Sequence, residues 1–305
     1  MRTSIRFSLG NTKRLSSSPK KRRIPDERTM QPNPLSVRRI LTDNRIRPTK
    51  RKGQHFILDQ GLVEKEVGYA ELRASDRVFE IGAGLGALSM AIAARGNELV
   101  SIEIDSRLVK LLSATLKEQR NLSLVRADAL TFEPRGINKI ISNIPYNLSS
   151  SITFKILESE FETAILTYQV DFARRMIAKP GSKDYSRLSV NVYYRADAEI
   201  MDKIPRSAFY PMPSVDSAIV RLRRRETPFS VDDEGFFFKL LRGLFPYRNQ
   251  LLTKVMKRFL RLNSYANLDA LRIMKDAGVD DDRIRNLQPE SIARLSNVLF
   301  NSVNR

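Results

Sequence analysis

The chain of 305 residues contains no cysteine and only one histidine, His55. Disulfides, thiolate nucleophiles and Cys-rich zinc sites are excluded, and no catalytic triad can draw on more than one imidazole. No metal site is expected. The lack of cysteine fits a reducing compartment. Long apolar runs are also missing: the densest stretch, Leu88 to Ala94, falls far short of the roughly eighteen residues of a membrane helix, so a soluble chain without membrane association is expected. Chemistry must therefore come from carboxylates, amides, backbone groups and a borrowed cofactor.

Acidic residues are scarce at one end. Residues 1–52 hold sixteen Lys or Arg against three acids, so +13 of the formal charge of +19 lies there and +6 in the rest. A polyanionic partner is implied. This leader, with "RLSSSPKKRR" from Arg14 and prolines at 25, 32, 34 and 48, shows no sustained apolar periodicity, and residues 1–49 are expected to be a disordered basic tail. Its first 25 residues are rich in Arg and Ser and free of acids, the composition of a mitochondrial transit peptide; a start at Met30 is the other option. Cytoplasmic location is the expectation, mitochondrial if the leader is such a peptide.

With 42% hydrophobic residues, the remainder can bury one large domain and a smaller one. From Arg77 the chain alternates β-branched runs with helical patterns, as a doubly wound α/β sheet does. "RVFEIG" (Arg77), "ELVSIEID" (Glu98), "LSLVRAD" (Leu122), "KIISNI" (Lys139) and "TAILTY" (Thr163) read as successive parallel strands, with helices over Ala87 to Arg95 and Ser106 to Gln119. "RLSVNVYY" (Arg187) and "SAIVRLRRR" (Ser217) read as two late strands. Helices then follow over Asp232 to Phe245, Arg248 to Leu262, Leu268 to Ala277 and Glu290 to Val303. The domains predicted are 50–226 for the sheet and 227–305 for a small helical unit.

"EIGAGLG" (Glu80 to Gly86) follows a strand and opens a helix, so its glycines, Gly82 among them, can bring bare backbone against a ligand; a tight turn without ligand has the same appearance. Glu103, about 20 residues on at the next strand end, suits a pair of ribose hydroxyls. Asp128, closing the third strand, can accept from an adenine amino group or cap a helical turn. An adenosine cofactor follows, either a dinucleotide or S-adenosylmethionine.

"NIPYNL" (Asn143 to Leu148) at the fourth strand end chooses between them. Hydride transfer has no use for this corner, whereas methylation of a base's exocyclic amine does. The amine lone pair is delocalised into the ring; if the Asn143 carbonyl and a backbone carbonyl accept its hydrogens, the nitrogen turns pyramidal and aims at the methyl group. Pro145 fixes the turn and Tyr146 offers a face for stacking. Displacement at a sulfonium-borne carbon needs orientation more than a general base, which suits a chain without a catalytic histidine.

"KRKGQHFILD" (Lys50), "EIGAGLG", "SIEID", "RADAL", "NIPYNLSS", "AKPGSKDYSRLSV" and "FYPMPSVDSAIVRL" resemble, in that order, the motifs of the KsgA family of small-subunit ribosomal RNA adenine N(6),N(6)-dimethyltransferases; the likeness runs from about Lys50 to Arg223. Its relatives include erythromycin-resistance methylases and mitochondrial transcription-factor homologues. The resemblance implies a class I Rossmann-like methyltransferase sheet with a C-terminal helical RNA-binding domain. It also implies dimethylation by S-adenosylmethionine of two adjacent adenosines near the 3′ end of small-subunit ribosomal RNA, in ribosome biogenesis; nothing in the sequence demands more than a monomer. Carried over by motif, His55, Ile57, Gly82, Glu103, Asp128 and Asn143 would contact the cofactor. Tyr146 and Phe209 would sandwich the flipped adenine. The alternative is an RNA-binding assembly or transcription factor with little methyltransferase activity.

Two basic clusters are candidate RNA contacts or merely solvated faces: Lys254, Lys257, Arg258 and Arg261 on one helical face, and Arg221 with Arg223, Arg224 and Arg225 at the domain junction. Where family members carry a denser basic run, this chain has "PYRNQLL", keeping mainly Arg248.

Overall fold

The computed structural model describes residues 34–49 and 53–304. The basic run Arg14 to Arg23 and Met30 lie outside the described residues. In chain order the elements are α1 (Pro34–Asp43), β1 (Phe56–Ile57), α2 (Gln60–Tyr69), β2 (Arg77–Ile81), α3 (Ala87–Ala93), β3 (Glu98–Glu103), α4 (Ser106–Thr115), β4 (Leu122–Arg126) and β5 (Lys139–Asn143). Then come α5 (Ser149–Glu158), β6 (Thr163–Gln169), α6 (Val170–Met176), α7 (Arg187–Arg195), β7 (Ala196–Ile204), β8 (Phe209–Tyr210) and β9 (Ser217–Arg224). Helices α8 (Glu234–Leu244), α9 (Leu252–Leu262), α10 (Ala270–Asp276) and α11 (Pro289–Val303) complete the chain.

Seven strands form one sheet in the order β4-β3-β2-β5-β6-β9-β7. The five strands expected from the sequence are mutually parallel, while β9 runs antiparallel to both β6 and β7. From β2 the chain winds outward through β3 and β4, then returns to the other side of β2 for β5 and β6. The carboxyl ends of β2 and β5 therefore flank a switch point, the crevice where open α/β sheets bind ligands. Apolar side chains from the strands enter two clusters: one holds Phe79, Ile140 and Leu166, the other Val78, Ile141 and Ile165. That division is the period-2 alternation of a sheet covered on both faces.

Three sequence expectations are corrected. The leader is folded from residue 34 onward: in α1, Val37, Ile40 and Leu41 stand at i, i+3 and i+4 and are buried with Ile46 against Phe56, Leu85 and Leu108. Prolines suggested a break there, but proline suits a first helical position, where its missing N–H costs nothing. Second, Arg187–Arg195 is a helix. It begins with a reciprocal Ser186–Ser189 capping box and buries alternate residues on two sides, Leu188 and Val192 against the sheet and Val190 and Tyr194 against the C-terminal helices. Residues two apart on a helix point nearly opposite ways, so a helix buried on both sides mimics a strand's alternation. Third, β7 was not anticipated, because this edge strand carries Asp197, Glu199 and Asp202 and contains a register shift between Ile200 and Asp202. Charges and bulges are normal protection for an exposed sheet edge.

Helices α8–α11 share a core with Tyr185, Val190 and Tyr194 from the preceding part of the chain. The "AKPGSKDY" segment ties the two parts together: Gly181 N–H donates to the Arg285 carbonyl at 2.8 Å and Tyr185 O–H to the Leu287 carbonyl at 3.0 Å.

Candidate active site

At the switch point lies a cavity of about 510 Å³. His55, Ile57, Gly82, Glu103, Asp128, Asn143 and Tyr146 all line it, although they are spread over 91 positions of the chain. Phe209 does not.

The glycine turn forms the floor. Gly82 and Ala83 N–H groups donate to the Ile102 carbonyl at 2.8 and 3.0 Å, pinning the turn to the next strand. Gly82 has φ +81°, a region in which side chains are strained, and a Cβ built there would meet only Pro145 Cγ, at 4.0 Å. The backbone is thus bare toward the cavity. Two buried acids stand beside it. Glu103 accepts from Gly84 N–H at 3.0 Å and Asp105 N–H at 2.8 Å; burial raises its pKa, and those donors oppose the rise. Glu80 receives the hydroxyls of Ser89 and Ser101 at 2.5 and 2.6 Å, and burial pushes it up to about 7, with Glu103 adding to the rise. Asp128 forms an Asx turn by accepting Leu130 N–H at 2.9 Å while also lining the cavity, so the cap and the ligand wall coexist. Ile104 and Leu130 also line the cavity while 51% and 40% exposed, an apolar pair that carries no motif signal in the sequence.

The opposite wall is a junction of three motifs. Asn143 Nδ2 donates to the His55 carbonyl at 3.0 Å. The His55 ring stacks on Tyr146 with centroids 5.0 Å apart and planes at 25°, and its Nδ1 lies 2.6 Å from the Pro211 carbonyl. A carbonyl only accepts, so Nδ1 carries the proton. Gly53, φ +59°, fits because it lacks a Cβ, which would collide with Asn147 Oδ1. The Tyr146 hydroxyl pairs with Ser217 Oγ at 2.5 Å, and burial pushes its pKa up to about 12, so it stays neutral.

Phe209 requires a correction. The β1–β8 ladder pairs it with Ile57 and pairs Tyr210 with Phe56. Alternation sends the ring of Phe209, 1% exposed, into the core with Ile141, Ile165 and Ile219, and Tyr210 to the other side. In this structure Phe209 is a core residue outside the cavity lining, so the expected base sandwich is not formed here; one face of Tyr146 is likewise covered by His55.

The basic clusters separate. Arg221 pairs with Glu71 and Glu199, Arg223 with Glu71, and Arg225 with Asp197; Arg224 donates to the Ser159 carbonyl. Arg221, Arg223 and Arg225 are thus paired with acids, while Arg224 keeps its charge and is held by a carbonyl. Arg248 donates to the Tyr185 carbonyl at 2.8 Å and serves the fold. On α9, Lys254, Lys257, Arg258 and Arg261 are exposed, and among the described residues no acid pairs with them; Arg258 lies over the Tyr247 ring at 4.5 Å.

A family model described as Ribosomal RNA adenine dimethylase matches residues 46–300. The "Probable ribosomal RNA small subunit methyltransferase A" of Methanosarcina acetivorans is 40% identical over 255 residues, covering 83% of this chain and 94% of that protein. The protein of the same name from Methanococcus maripaludis strain S2 is 41% identical over 267 residues, 85% of this chain and 98% of its own. Among solved structures, a dimethyladenosine transferase from Plasmodium falciparum superposes with TM-score 0.69 at 27% identity, over 82% of this chain and 98% of that one. The 23S rRNA methyltransferase ErmE does so at 0.59 and 31%, over 80% and 99%.

Proposed function

The chain belongs to the ribosomal RNA adenine dimethylase family, and on that premise we propose that its cavity presents the 6-amino group of a flipped adenosine to S-adenosylmethionine through the Asn143–Tyr146 corner. The protein is an S-adenosylmethionine-dependent ribosomal RNA adenine dimethyltransferase. The observation that carries the site assignment is the Asn143–His55 bond. That bond holds the Asn143 amide in one orientation, and the carbonyl oxygen at its other end is the acceptor that an amine hydrogen requires.

The residues present fit the cofactor. A bare glycine turn, two buried carboxyls and an exposed apolar pair suit a ligand that combines a cationic centre, a ribose and a purine. When bound, the cofactor supplies a methyl group on a positively charged sulfur. The chain's own residues do the rest. Glu103, held in place by two backbone N–H groups, keeps lone pairs that would accept from ribose hydroxyls; Ile104 and Leu130 would flank the purine, and Asp128 would accept from its amino group. Asn143 and a neighbouring backbone carbonyl of the corner take the amine hydrogens and leave the nitrogen lone pair directed at the methyl. Attack by the nitrogen would form the N–C bond as the C–S bond breaks and its electron pair leaves with the sulfur, and the alkylated nitrogen would then lose its proton to water. No base at the corner is called for, and His55 is engaged elsewhere through Nδ1–H.

For the substrate, we infer two adjacent adenosines near the 3′ end of small-subunit ribosomal RNA. The archaeal relatives named for the small subunit are 40–41% identical, against 31% for the 23S enzyme, and the "AKPGSKDYSRLSV" segment looks more like that of the small-subunit enzymes. Residues 227–305 would grip RNA through the unpaired cations of α9. The protein would act as a monomer on the immature subunit, in the cytoplasm or, with a cleaved leader, in mitochondria. The test is incorporation of labelled methyl groups from S-adenosylmethionine into unmethylated small subunits, followed by nucleoside analysis. Two N6,N6-dimethyladenosines per subunit are expected. Subunit binding without incorporation would make the chain a binding factor.

A further inference from the structure

The residues that enclose the cofactor cavity are not confined to the segment matched by the family. Helix α1 ends at Asp43, before residue 46 where that match begins, yet its Val37 and Ile40 line the cavity. Both are almost fully buried, together with Leu85 from the glycine turn and Leu108 from α4, residues that line the same cavity. We propose that α1 is part of the cofactor site: Val37 and Ile40 form an apolar wall that closes the cavity over the adenosyl moiety, so that α1 tightens when the ligand is bound.

Three observations carry this. The cavity lining combines apolar Val37, Ile40, Leu85 and Leu108 with acidic Glu103 and Asp128, so the ligand it suits is amphipathic, with a polar edge and a greasy face, as a nucleoside has. The helix packs onto the site itself: Val37, Ile40, Leu41 and Ile46 share one cluster with Phe56, Ala83, Leu85 and Leu108, all of which line the cavity, and with Leu111, Leu112 and Leu116 behind them. Finally, α1 is tied to the substrate side: Arg38 lies over the Tyr210 ring at 5.0 Å, and Tyr210 pairs across the two-stranded ladder with Phe56, next to His55. One short helix thus touches both the cofactor cavity and the strand that leads into the Pro211 loop held by His55. Leu35, on the same helix, is exposed, so the apolar stripe facing inward is specific to positions 37, 40 and 41.

The inference rests on the cofactor reading, and the experiment separates the two. Amide exchange of the full chain is followed with and without saturating S-adenosylhomocysteine, beside calorimetric titration of the wild type, of Val37→Ala/Ile40→Ala and of the conservative Val37→Ile/Ile40→Val. Heat of binding in the wild type tests the cofactor reading by itself; no binding there would defeat that reading and this one together. Given binding, exchange in α1 should slow at least about tenfold, the alanine pair should bind about tenfold more weakly, and the conservative pair should recover most of the loss. Unchanged exchange over residues 34–43 with the ligand bound would overturn the proposal. So would unchanged affinity in an alanine variant whose unfolding temperature matches the wild type. If the alanine variant does not fold, the wild-type exchange result decides.

Discussion

Asn143 and His55 stand 88 residues apart and are joined by one hydrogen bond, Nδ2 to carbonyl oxygen at 3.0 Å. The bond does two things. It fixes the orientation of the amide, and it locks the "GQHF" segment onto the fourth strand end, where Gly53 lies against Asn147 and the imidazole stacks on Tyr146. Positions that are poor for packing serve here as hinges between motifs.

Glu103 should matter to cofactor affinity more than to turnover. Glu103→Ala removes the acceptor of Gly84 and Asp105 N–H groups as well as the proposed ribose contact. Calorimetry with S-adenosylhomocysteine should show a loss of about 2–4 kcal/mol, in the range of charged hydrogen bonds removed from a buried site. Turnover at saturating cofactor should fall far less.

Glu66 makes stability depend on pH. It is 1% exposed on α2, one oxygen accepts Thr167 O–H at 2.6 Å, the other has no partner, and burial pushes its pKa up to about 7, with Glu80 adding to the rise. A carboxyl whose folded pKa exceeds its unfolded value contributes stability that is complete below about pH 4.5 and is lost as pH rises through about 7. Glu66→Gln, which never ionises, should remove roughly 3 kcal/mol of that decline between pH 4.5 and 8 in denaturant titrations. An unchanged slope would mean that Glu66 does not titrate there. Glu80 shifts in the same direction, so the variant should still become less stable with rising pH, only less steeply.

Phe209→Ala should act on folding. Emptying a core position beneath β1 costs about 3–5 kcal/mol, read as a drop in unfolding temperature. Phe209→Leu should retain both stability and the Michaelis constant for RNA within a few-fold. A selective loss of RNA turnover in the leucine variant would restore the base-sandwich role.

The α9 cations should set salt dependence. Neutralising Lys254, Lys257 and Arg261 together should weaken RNA binding on every sequence and lower the slope of log affinity against log salt by up to about 0.9 for each phosphate left without its cation. Neutralising Arg221 and Arg223 should leave that slope unchanged and instead disturb the ion pairs to Glu71 and Glu199.

Much of this architecture was legible in the residues because parallel strands buried on both faces write themselves as β-branched runs, and because ligand-facing strand ends break that pattern with Gly82, Glu103, Asp128 and Asn143. What escaped has physical causes. Helix α7 is buried on two sides and carries a strand's alternation; β7 is an acidic edge. The stripe in α1 is only three residues long and stands among prolines and arginines. For Phe209, motif likeness indicated a ligand wall, whereas the β1–β8 register decides which way the ring points, and register depends on a partner strand about 150 residues away.

The most direct measurement is single-turnover methyl transfer to unmethylated small-subunit RNA by Asn143→Ala, set beside its affinity for S-adenosylhomocysteine. An Asn143 carbonyl that grips the adenine amine predicts a rate lowered by at least about a hundredfold with cofactor affinity within a few-fold of the wild type. A rate close to wild type, with the cofactor bound equally well, would contradict that account.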